Sequence, residues 1–309
     1  MIIIENISDV VKKRGCVLAL GNFDGVHIGH VHLLNRAGEY AKKNGLDFGV
    51  FTFIDSPKFL NPGHSLLTDL QTRISMIQNR AEPDFLYLEK FENVKDFSPE
   101  KFVEYIASEF NCVCAFSGEN FCFGKSALGK ADDLKRLMNE IGRDAIVVES
   151  VYDNGELISS TIIRSLLASG DVMRAERLLG KPYGFVSKVV HGAHLGHTLG
   201  FPTINQIIPK ELICPKYGVY STIVIVDGKE YAGVTNFGVK PTVSKDNTPV
   251  AETYIIDFDG DVYGKEIGVF FCKMLREEKK FSSLEELKEN IAMNVKQTRV
   301  FFKEKYEKK

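Results

Sequence analysis

The sequence has no long apolar run and almost no net charge. None of its hydrophobic stretches approaches the roughly 20 residues of a membrane-spanning helix, and the formal net charge is −2. A chain without an excess of basic residues lacks the charge pattern of a nucleic-acid-binding protein. Residues 1–6 have neither a basic start nor a cleavage site, so we expect a strand there rather than a signal peptide. Neither a membrane nor a nucleic acid is therefore predicted as a partner.

Cysteines are few and scattered. There are six among 309 residues, and Cys112 and Cys114 are separated by a single residue. That spacing is too short for the usual zinc-ligand pattern, and no second pair of ligands follows. We expect these two to be reduced core residues of a cytoplasmic protein.

The first half of the chain alternates apolar strands with amphipathic helices. This alternation predicts an α/β fold with a parallel sheet covered on both faces, which binds ligands beyond the carboxyl ends of its strands. Helix starts are predicted by capping patterns at Thr68 with Gln71 and at Ser98 before Pro99. The strands are predicted at 17–20, 48–53, 84–88, 112–116 and 145–150, and the helices at 30–43, 68–80, 98–110, 131–141, 160–168 and 171–179.

The second half is rich in short β-runs and ends in a long helix. Asp227 and Gly228 are typical of a two-residue hairpin turn, and the pattern predicts a small antiparallel barrel or sandwich. Ser283 with Glu286 is expected to cap the last helix. We therefore predict two domains, 1–182 and 183–309. The predicted strands are 184–191, 217–226, 230–238, 251–258 and 265–273, and the apolar stripe of the helix is Leu284, Leu287, Ile291 and Val295.

The most informative segment, residues 20–30, reads Leu-Gly-Asn-Phe-Asp-Gly-Val-His-Ile-Gly-His. It joins a predicted strand to a helix N-terminus, where backbone N–H groups and the helix dipole favour a bound phosphate. Its glycines allow a phosphate to approach the backbone. His27 and His30 could stabilise charge that develops at phosphorus. Two structural histidines in a loop remain the plainer interpretation of the short His-x-Gly-His pattern alone.

Two further segments could bind phosphate, but each also has a simpler structural interpretation. Ser159, Ser160 and Thr161 open a helix that carries Arg164 one turn on, which suits an anion, although a simple N-cap is the commoner use. The glycine-rich loop 192–200 lacks a Walker A ending and is weak evidence by itself.

Four motifs in order, 22–30, 118–124, 158–164 and 200–205, resemble the prokaryotic bifunctional riboflavin kinase/FMN adenylyltransferases, also called FAD synthetases. The resemblance implies a Rossmann-like nucleotidyltransferase domain followed by a β-barrel kinase domain with a C-terminal helix. It implies ATP-dependent phosphorylation of riboflavin to FMN, and adenylylation of FMN to FAD with release of pyrophosphate. It also implies Mg²⁺ in both reactions.

The resemblance assigns residues to two sites. For adenylyl transfer, His27, His30 and Arg164 are catalytic. The resemblance makes loop 118–124 part of the flavin or nucleotide pocket, with Asn120, Phe121 and Phe123 as its contacts. Without the resemblance, the two phenylalanines could be ordinary core residues. The residues expected to bind the ATP phosphates are Gly21, Asn22, Phe23, Asp24, Gly29, Ser159, Ser160 and Thr161.

For the kinase, Glu252 is the base that deprotonates the ribityl hydroxyl, although by itself it reads as a solvated strand residue. Thr203 and Asn205 serve Mg²⁺, and Asn236 and Arg276 border the flavin. The expected ATP-binding residues are Gly192, Gly196, His197, Gly200 and Pro202.

Seven residues depart from the family pattern, mostly in the kinase half: Asp55, Ser56, His197, Ile204, Lys240, Tyr254 and Asn294. Because of these departures, an FMN adenylyltransferase with a weak or inactive kinase domain remains an alternative interpretation. A flavin-binding module without turnover is a second alternative. The sequence does not indicate an oligomeric state.

Overall fold

The computed structural model describes residues 1–9, 14–55, 65–191, 200–239 and 248–307. By compactness it divides into two units, Met1–Ser160 and Thr161–Lys309. The predicted fold class is confirmed, because a parallel sheet with helices forms the first unit and a closed antiparallel barrel forms the second.

The first unit contains a six-stranded, all-parallel sheet in the order β1-β4-β3-β2-β5-β6. The direction of strand succession reverses between β2 and β5, and such a switch point is where ligands bind in doubly wound sheets. The strands are β1 (Ile2–Ile4), β2 (Cys16–Leu20), β3 (Asp47–Phe53), β4 (Phe85–Glu89), β5 (Cys112–Gly118) and β6 (Asp144–Val148).

All predicted helices of the first half are present, with small shifts at their ends. They are α1 (Ile28–Asn44), α2 (Leu70–Ala81), the single turn α3 (Phe91–Val94), α4 (Pro99–Glu109), α5 (Ala131–Glu140), α6 (Ser160–Ser169) and α7 (Val172–Leu179). Two 3₁₀ turns, Ile7–Asp9 and Lys125–Ala127, and two hairpins of two-residue strands complete this part. The hairpins pair Cys122–Phe123 with Gly129–Lys130, and Tyr152–Asp153 with Glu156–Leu157.

Strand β2 is buried on both faces, as the sequence predicts for a central parallel strand. Val17 and Ala19 belong to one apolar cluster, and Leu18 and Leu20 belong to another on the opposite face. The second cluster also contains Cys112, while Cys114 packs in the first, so both thiols lie in the core as expected.

Of the two helix caps predicted in the first half, one is confirmed and one is wrong. Ser98 caps α4 by accepting a hydrogen bond from the Lys101 amide at 3.2 Å. The cap of α2 is Asp69 rather than Thr68, because the Asp69 carboxylate accepts the Thr72 amide at 2.8 Å. Thr68 is instead bonded to the loop that follows β2, as described below.

The second unit is a closed six-stranded barrel in the order β7-β8-β11-β10-β9-β12. Asp227 and Gly228 form the hairpin turn between β9 and β10 with φ of 48° and 78°, which confirms that prediction. The sequence did not predict β8. The strands are β7 (Tyr183–Val190), β8 (Thr203–Ile207), β9 (Gly218–Val226), β10 (Lys229–Val239), β11 (Pro249–Ile255) and β12 (Glu266–Arg276).

The long C-terminal helix α8 (Leu284–Glu307) is present, and Val295 of the predicted stripe packs against the barrel cluster of Val219, Val234 and Ile256. Leu284 of the stripe is 53% exposed, and the helix also buries Asn294, Thr298 and Phe302. Polar side chains at two of these three buried positions hide this face from a hydrophobic pattern. Ser283 caps the helix as predicted by accepting the Glu286 amide at 3.1 Å. No helix within the described ranges could span a membrane.

Candidate active sites

The loop between β2 and α1 has an unusual backbone. Phe23, Gly25 and Val26 have φ of 48°, 79° and 37°. Positive φ is costly for a β-branched residue such as Val26 and persists only where the surroundings impose it. Phe23 and Val26 are also almost completely buried, which holds the loop against the core.

His27 and His30 are brought together as the sequence predicts. Their rings are stacked, with centroids 3.6 Å apart and an interplanar angle of 17°. His27 is the N-cap of α1, and its Nδ1 accepts the His30 amide at 3.3 Å. In the neutral ring this fixes the proton on Nε2, which becomes a donor for an anion. A Cβ at Gly29 would lie 3.2 Å from the His27 ring, so glycine permits this ring position.

His30 is held neutral. Burial, and then the neighbouring His27, lower the pKa of His30 well below its usual value. Its Nδ1 and the Oδ1 of Asn22 are buried atoms without a hydrogen-bond partner. Buried polar atoms are nearly always satisfied, so these two atoms point to a ligand that completes their hydrogen bonding.

Asp24, which is expected to bind the ATP phosphates, also has a structural role in this loop. Its carboxylate is buried and accepts the backbone amides of Leu67 and Thr68 at 3.0 and 3.2 Å. The Thr68 hydroxyl in turn accepts the Gly25 amide at 3.2 Å. Asp24 and Thr68 therefore anchor the loop to the segment that precedes α2.

Two arginines of α2 also hold this loop, and the sequence analysis missed both. The Arg73 guanidinium donates to the carbonyls of Asn22 and Phe53 at 3.0 and 2.7 Å. Arg80 donates to the carbonyl of Val26 at 2.8 Å. Burial lowers the pKa of Arg73, and the nearby carboxylates of Asp24 and Asp69 oppose that effect. No local pattern links these positions, because the arginines are 51 and 54 residues from their acceptors on the loop.

Helix α6 begins at the predicted Ser160, whose hydroxyl donates to the Asp24 carbonyl at 3.1 Å. Ser159 precedes the helix, and Thr161 and Arg164 follow on it within the second unit. Gly21 lies at the end of β2, where a Cβ would approach the Phe23 ring to 3.0 Å.

Loop 118–124 is partly core. Phe123 is buried against Phe102, with ring centroids 5.4 Å apart, and Phe121 stacks on Phe123 at 5.7 Å. Asn120 is exposed at the turn.

Asp55, which departs from the family pattern, has a structural role. Its carboxylate accepts the Phe91 amide at 2.9 Å at the start of α3.

The barrel places four predicted kinase residues in one row. Strand register pairs Arg276 with Val219, Val219 with Asn236, Asn236 with Glu252, and Glu252 with Asn205. Directly paired residues of antiparallel strands share a face. Arg276, Asn236, Glu252 and Asn205 therefore line one face across the strands β12, β9, β10, β11 and β8.

Thr203 joins this row through Glu252. Its hydroxyl donates to Glu252 Oε1 at 3.1 Å, and it stands two residues from Asn205 on the same face of β8. Ile204 lies between them, faces the opposite side and is buried. Tyr254 pairs with Thr203 in register and packs edge-on against Phe201 at 5.3 Å.

Arg276 and Asn294 each keep a buried polar atom without a hydrogen-bond partner, Nε and Oδ1 respectively. Burial lowers the pKa of Arg276, and its guanidinium lies 5.3 Å from the centre of the Phe281 ring.

The remaining predicted kinase residues lie before β8 or outside the described residues. Gly200 has a φ of 79° and Pro202 is exposed. Gly192, Gly196, His197, Ser56 and Lys240 lie outside the described residues.

The kinase row suits Mg²⁺. A hydroxyl, an amide oxygen and a carboxylate are hard oxygen donors, and Thr203, Asn205 and Glu252 bring one of each to the same face. Across the described ranges there is no cluster of three or more His, Cys, Asp or Glu residues that could hold a metal.

Comparisons with known proteins support two catalytic units. A family model described as FAD synthetase matches residues 9–162, and one described as riboflavin kinase matches residues 179–302. A histidine-bearing loop on a parallel sheet and a polar row on a barrel, each within a matched family, thus define a two-domain enzyme that transfers nucleotidyl and phosphoryl groups.

Relatives match over almost the whole chain. The bifunctional riboflavin kinase/FMN adenylyltransferase of Bacillus subtilis (strain 168) is 35% identical, with 91% of this chain and 90% of the relative covered. That of Escherichia coli (strain K12) is 34% identical, with 97% and 96% covered. The chain belongs to the bifunctional riboflavin kinase/FMN adenylyltransferase family.

A solved structure is similar over its full length. It comes from Streptococcus pneumoniae and is described as a macrolide-efflux protein. The TM-score is 0.86 at 29% identity, and 96% of this chain and 98% of the other are covered.

Proposed function

We propose that this chain phosphorylates riboflavin to FMN with ATP on its barrel and adenylylates FMN to FAD on its parallel sheet. The stacked His27 and His30, at the start of α1, carry the second assignment. The Thr203–Glu252 hydrogen bond within the row of kinase residues carries the first.

In adenylyl transfer, a phosphate oxygen of FMN attacks the α-phosphorus of ATP. A new phosphorus–oxygen bond forms, the bond between the α- and β-phosphates breaks, and pyrophosphate leaves. The FMN phosphate is already ionised at neutral pH, so this site needs no general base. His27 Nε2–H and the N-terminus of α1 stabilise the charge that develops at phosphorus.

In the kinase reaction, Glu252 accepts the proton of the terminal ribityl hydroxyl, whose oxygen attacks the γ-phosphorus of ATP. The γ-phosphoryl group is transferred and ADP leaves. Thr203 and Asn205 would hold Mg²⁺ together with ATP phosphate oxygens, and the ion would neutralise phosphate charge. Asn236 and Arg276 border the flavin on the same face.

Other parts of the proposal rest on the sequence. Thr161 and Arg164 bind ATP phosphates, Asn120 and Phe121 contact the flavin or nucleotide, and the domain boundary is near residue 182. All six cysteines are unpaired thiols, which suits the cytoplasmic location that we predict.

The test is incubation of the purified protein with ATP, Mg²⁺ and either riboflavin or FMN, with products separated by chromatography. We expect FAD from both flavins. FAD from FMN with riboflavin untouched would identify a dedicated adenylyltransferase. No product from either flavin would contradict the proposed function.

A further inference from the structure

Helix α2 presents two arginines to the histidine-bearing loop. Arg73 and Arg80 are seven residues apart, two helical turns, and therefore lie on one face of α2. Arg73 bonds the carbonyl at the start of the loop, that of Asn22, and Arg80 bonds the carbonyl at its end, that of Val26. Arg73 is only 2% exposed.

These two bonds fix the orientation of two peptide groups. In a trans peptide, the carbonyl and the following N–H point in opposite directions, and the chain has no cis peptide bond in the described residues. Because the Asn22 carbonyl is directed at Arg73, the Phe23 N–H of the same peptide group points away from α2. Because the Val26 carbonyl is directed at Arg80, the His27 N–H points away from α2 as well. A cationic donor on the carbonyl also polarises the peptide group, which strengthens its N–H as a donor.

The loop needs such support because of its backbone. Phe23 and Val26, with φ of 48° and 37°, would each relax toward ordinary conformations if the carbonyl bonds were lost. Relaxation at Val26 would also move the neighbouring His27, whose Nδ1 caps α1.

We propose that Arg73 and Arg80 are positioning residues for adenylyl transfer, which hold loop 22–27 in the conformation that binds the ATP phosphates. This inference rests on the proposed function. Neither arginine touches substrate in this account, because both act through backbone carbonyls of the loop.

The two arginines differ in a way that can be tested. Arg80 bonds the loop at the Val26 carbonyl, a contact that a lysine ammonium can replace. Arg73 spans two carbonyls, one on the loop and one at the end of β3, which requires the planar fork of a guanidinium. Lysine should therefore rescue position 80 and only partly rescue position 73.

The experiment measures kcat and KM for ATP in FMN adenylylation by full-length Arg80→Met, Arg80→Lys and Arg73→Lys. Arg136→Met is the matched control, since Arg136 is an exposed residue of α5 that forms ion pairs with Asp133 and Glu140 of the same helix. We expect Arg80→Met to raise KM for ATP about tenfold, the usual effect of losing a charged hydrogen bond. Arg80→Lys and Arg136→Met should stay within about twofold of wild type, with Arg73→Lys between.

Circular dichroism and thermal unfolding of the same preparations check that the unit containing α2 is folded. A loss of folded protein lowers apparent kcat and leaves KM for ATP unchanged, so that pattern in Arg80→Met would overturn the inference. An unchanged Arg80→Met would do so as well. Wild-type protein that makes no FAD from FMN would instead overturn the proposed function and this inference with it.

Discussion

His27 has two separable roles, one through each ring nitrogen. Its Nδ1 caps α1, and its Nε2 is the donor that faces the reaction in the proposed mechanism. His27→Asn keeps a good N-cap but removes the Nε2 donor, so we expect adenylylation to fall about 100-fold. His27→Ala should lose the same activity and also about 1 kcal/mol of stability. FMN-dependent rates and urea denaturation of both variants test this; equal stability of the two would argue against the cap.

His30 should make stability depend on pH. Its folded-state pKa is lowered, first by burial and then by His27, so the unfolded chain binds a proton near pH 6.5 that the folded ring does not. The free energy of unfolding therefore decreases as pH falls below about 6.5, by less than about 1.4 kcal/mol per pH unit for this half-buried ring. His30→Gln should flatten this slope between pH 6.5 and 5, as followed by circular dichroism. An unchanged slope would contradict a neutral His30.

Single residues of the site could be predicted only where they carry a local pattern. His27, His30 and Ser160 stand in motifs, and the structure places them at the starts of α1 and α6. Arg73 and Arg80 bond to backbone carbonyls, which leave no trace in the acceptor's sequence. Asp24 stands inside a motif, but its contacts with Leu67 and Thr68 depend on tertiary structure.

Helices and strands of the first half followed from periodicity because the pattern is long and repeats. The cap of α2 was misassigned to Thr68, since Thr68 and Asp69 are adjacent residues that both favour the N-cap position. Strand β8 was missed because it has five residues, two of them polar ligand candidates, and is held by pairing with β11. The order of residues across the barrel depends on register, which a sequence does not reveal.

Helix α8 is docked on the barrel through a buried pair of hydroxyls. Ser221 of β9 and Thr298 of α8 are fully buried, and their oxygens are 2.8 Å apart. Thr298→Val or Ser221→Ala leaves one buried hydroxyl unpaired and should cost about 1–3 kcal/mol. The double variant should cost less than the sum of the two. The urea concentration at which riboflavin phosphorylation is lost measures the stability of each variant. Additive costs would show that the two hydroxyls do not interact.

The two folds follow from the sequence, whereas the border between the two units lacks a sequence pattern that marks it. Compactness divides the chain after Ser160, and the family models leave residues 163–178 unassigned. The boundary at 182 stays a prediction, based on the change from helical to β-rich sequence. Helices α6 and α7 read as part of the alternating first half, whereas compactness groups most of their residues with the barrel.

The central claim is that one chain holds two catalytic sites, one for each reaction. The most direct measurement follows FMN and FAD formed from riboflavin, and FAD formed from FMN, by wild type, His27→Asn and Glu252→Gln. We expect His27→Asn to accumulate FMN from riboflavin without making FAD. Glu252→Gln should make FAD from FMN normally but phosphorylate riboflavin at least about 100-fold more slowly. A single substitution that abolished both reactions in a folded chain would contradict the claim.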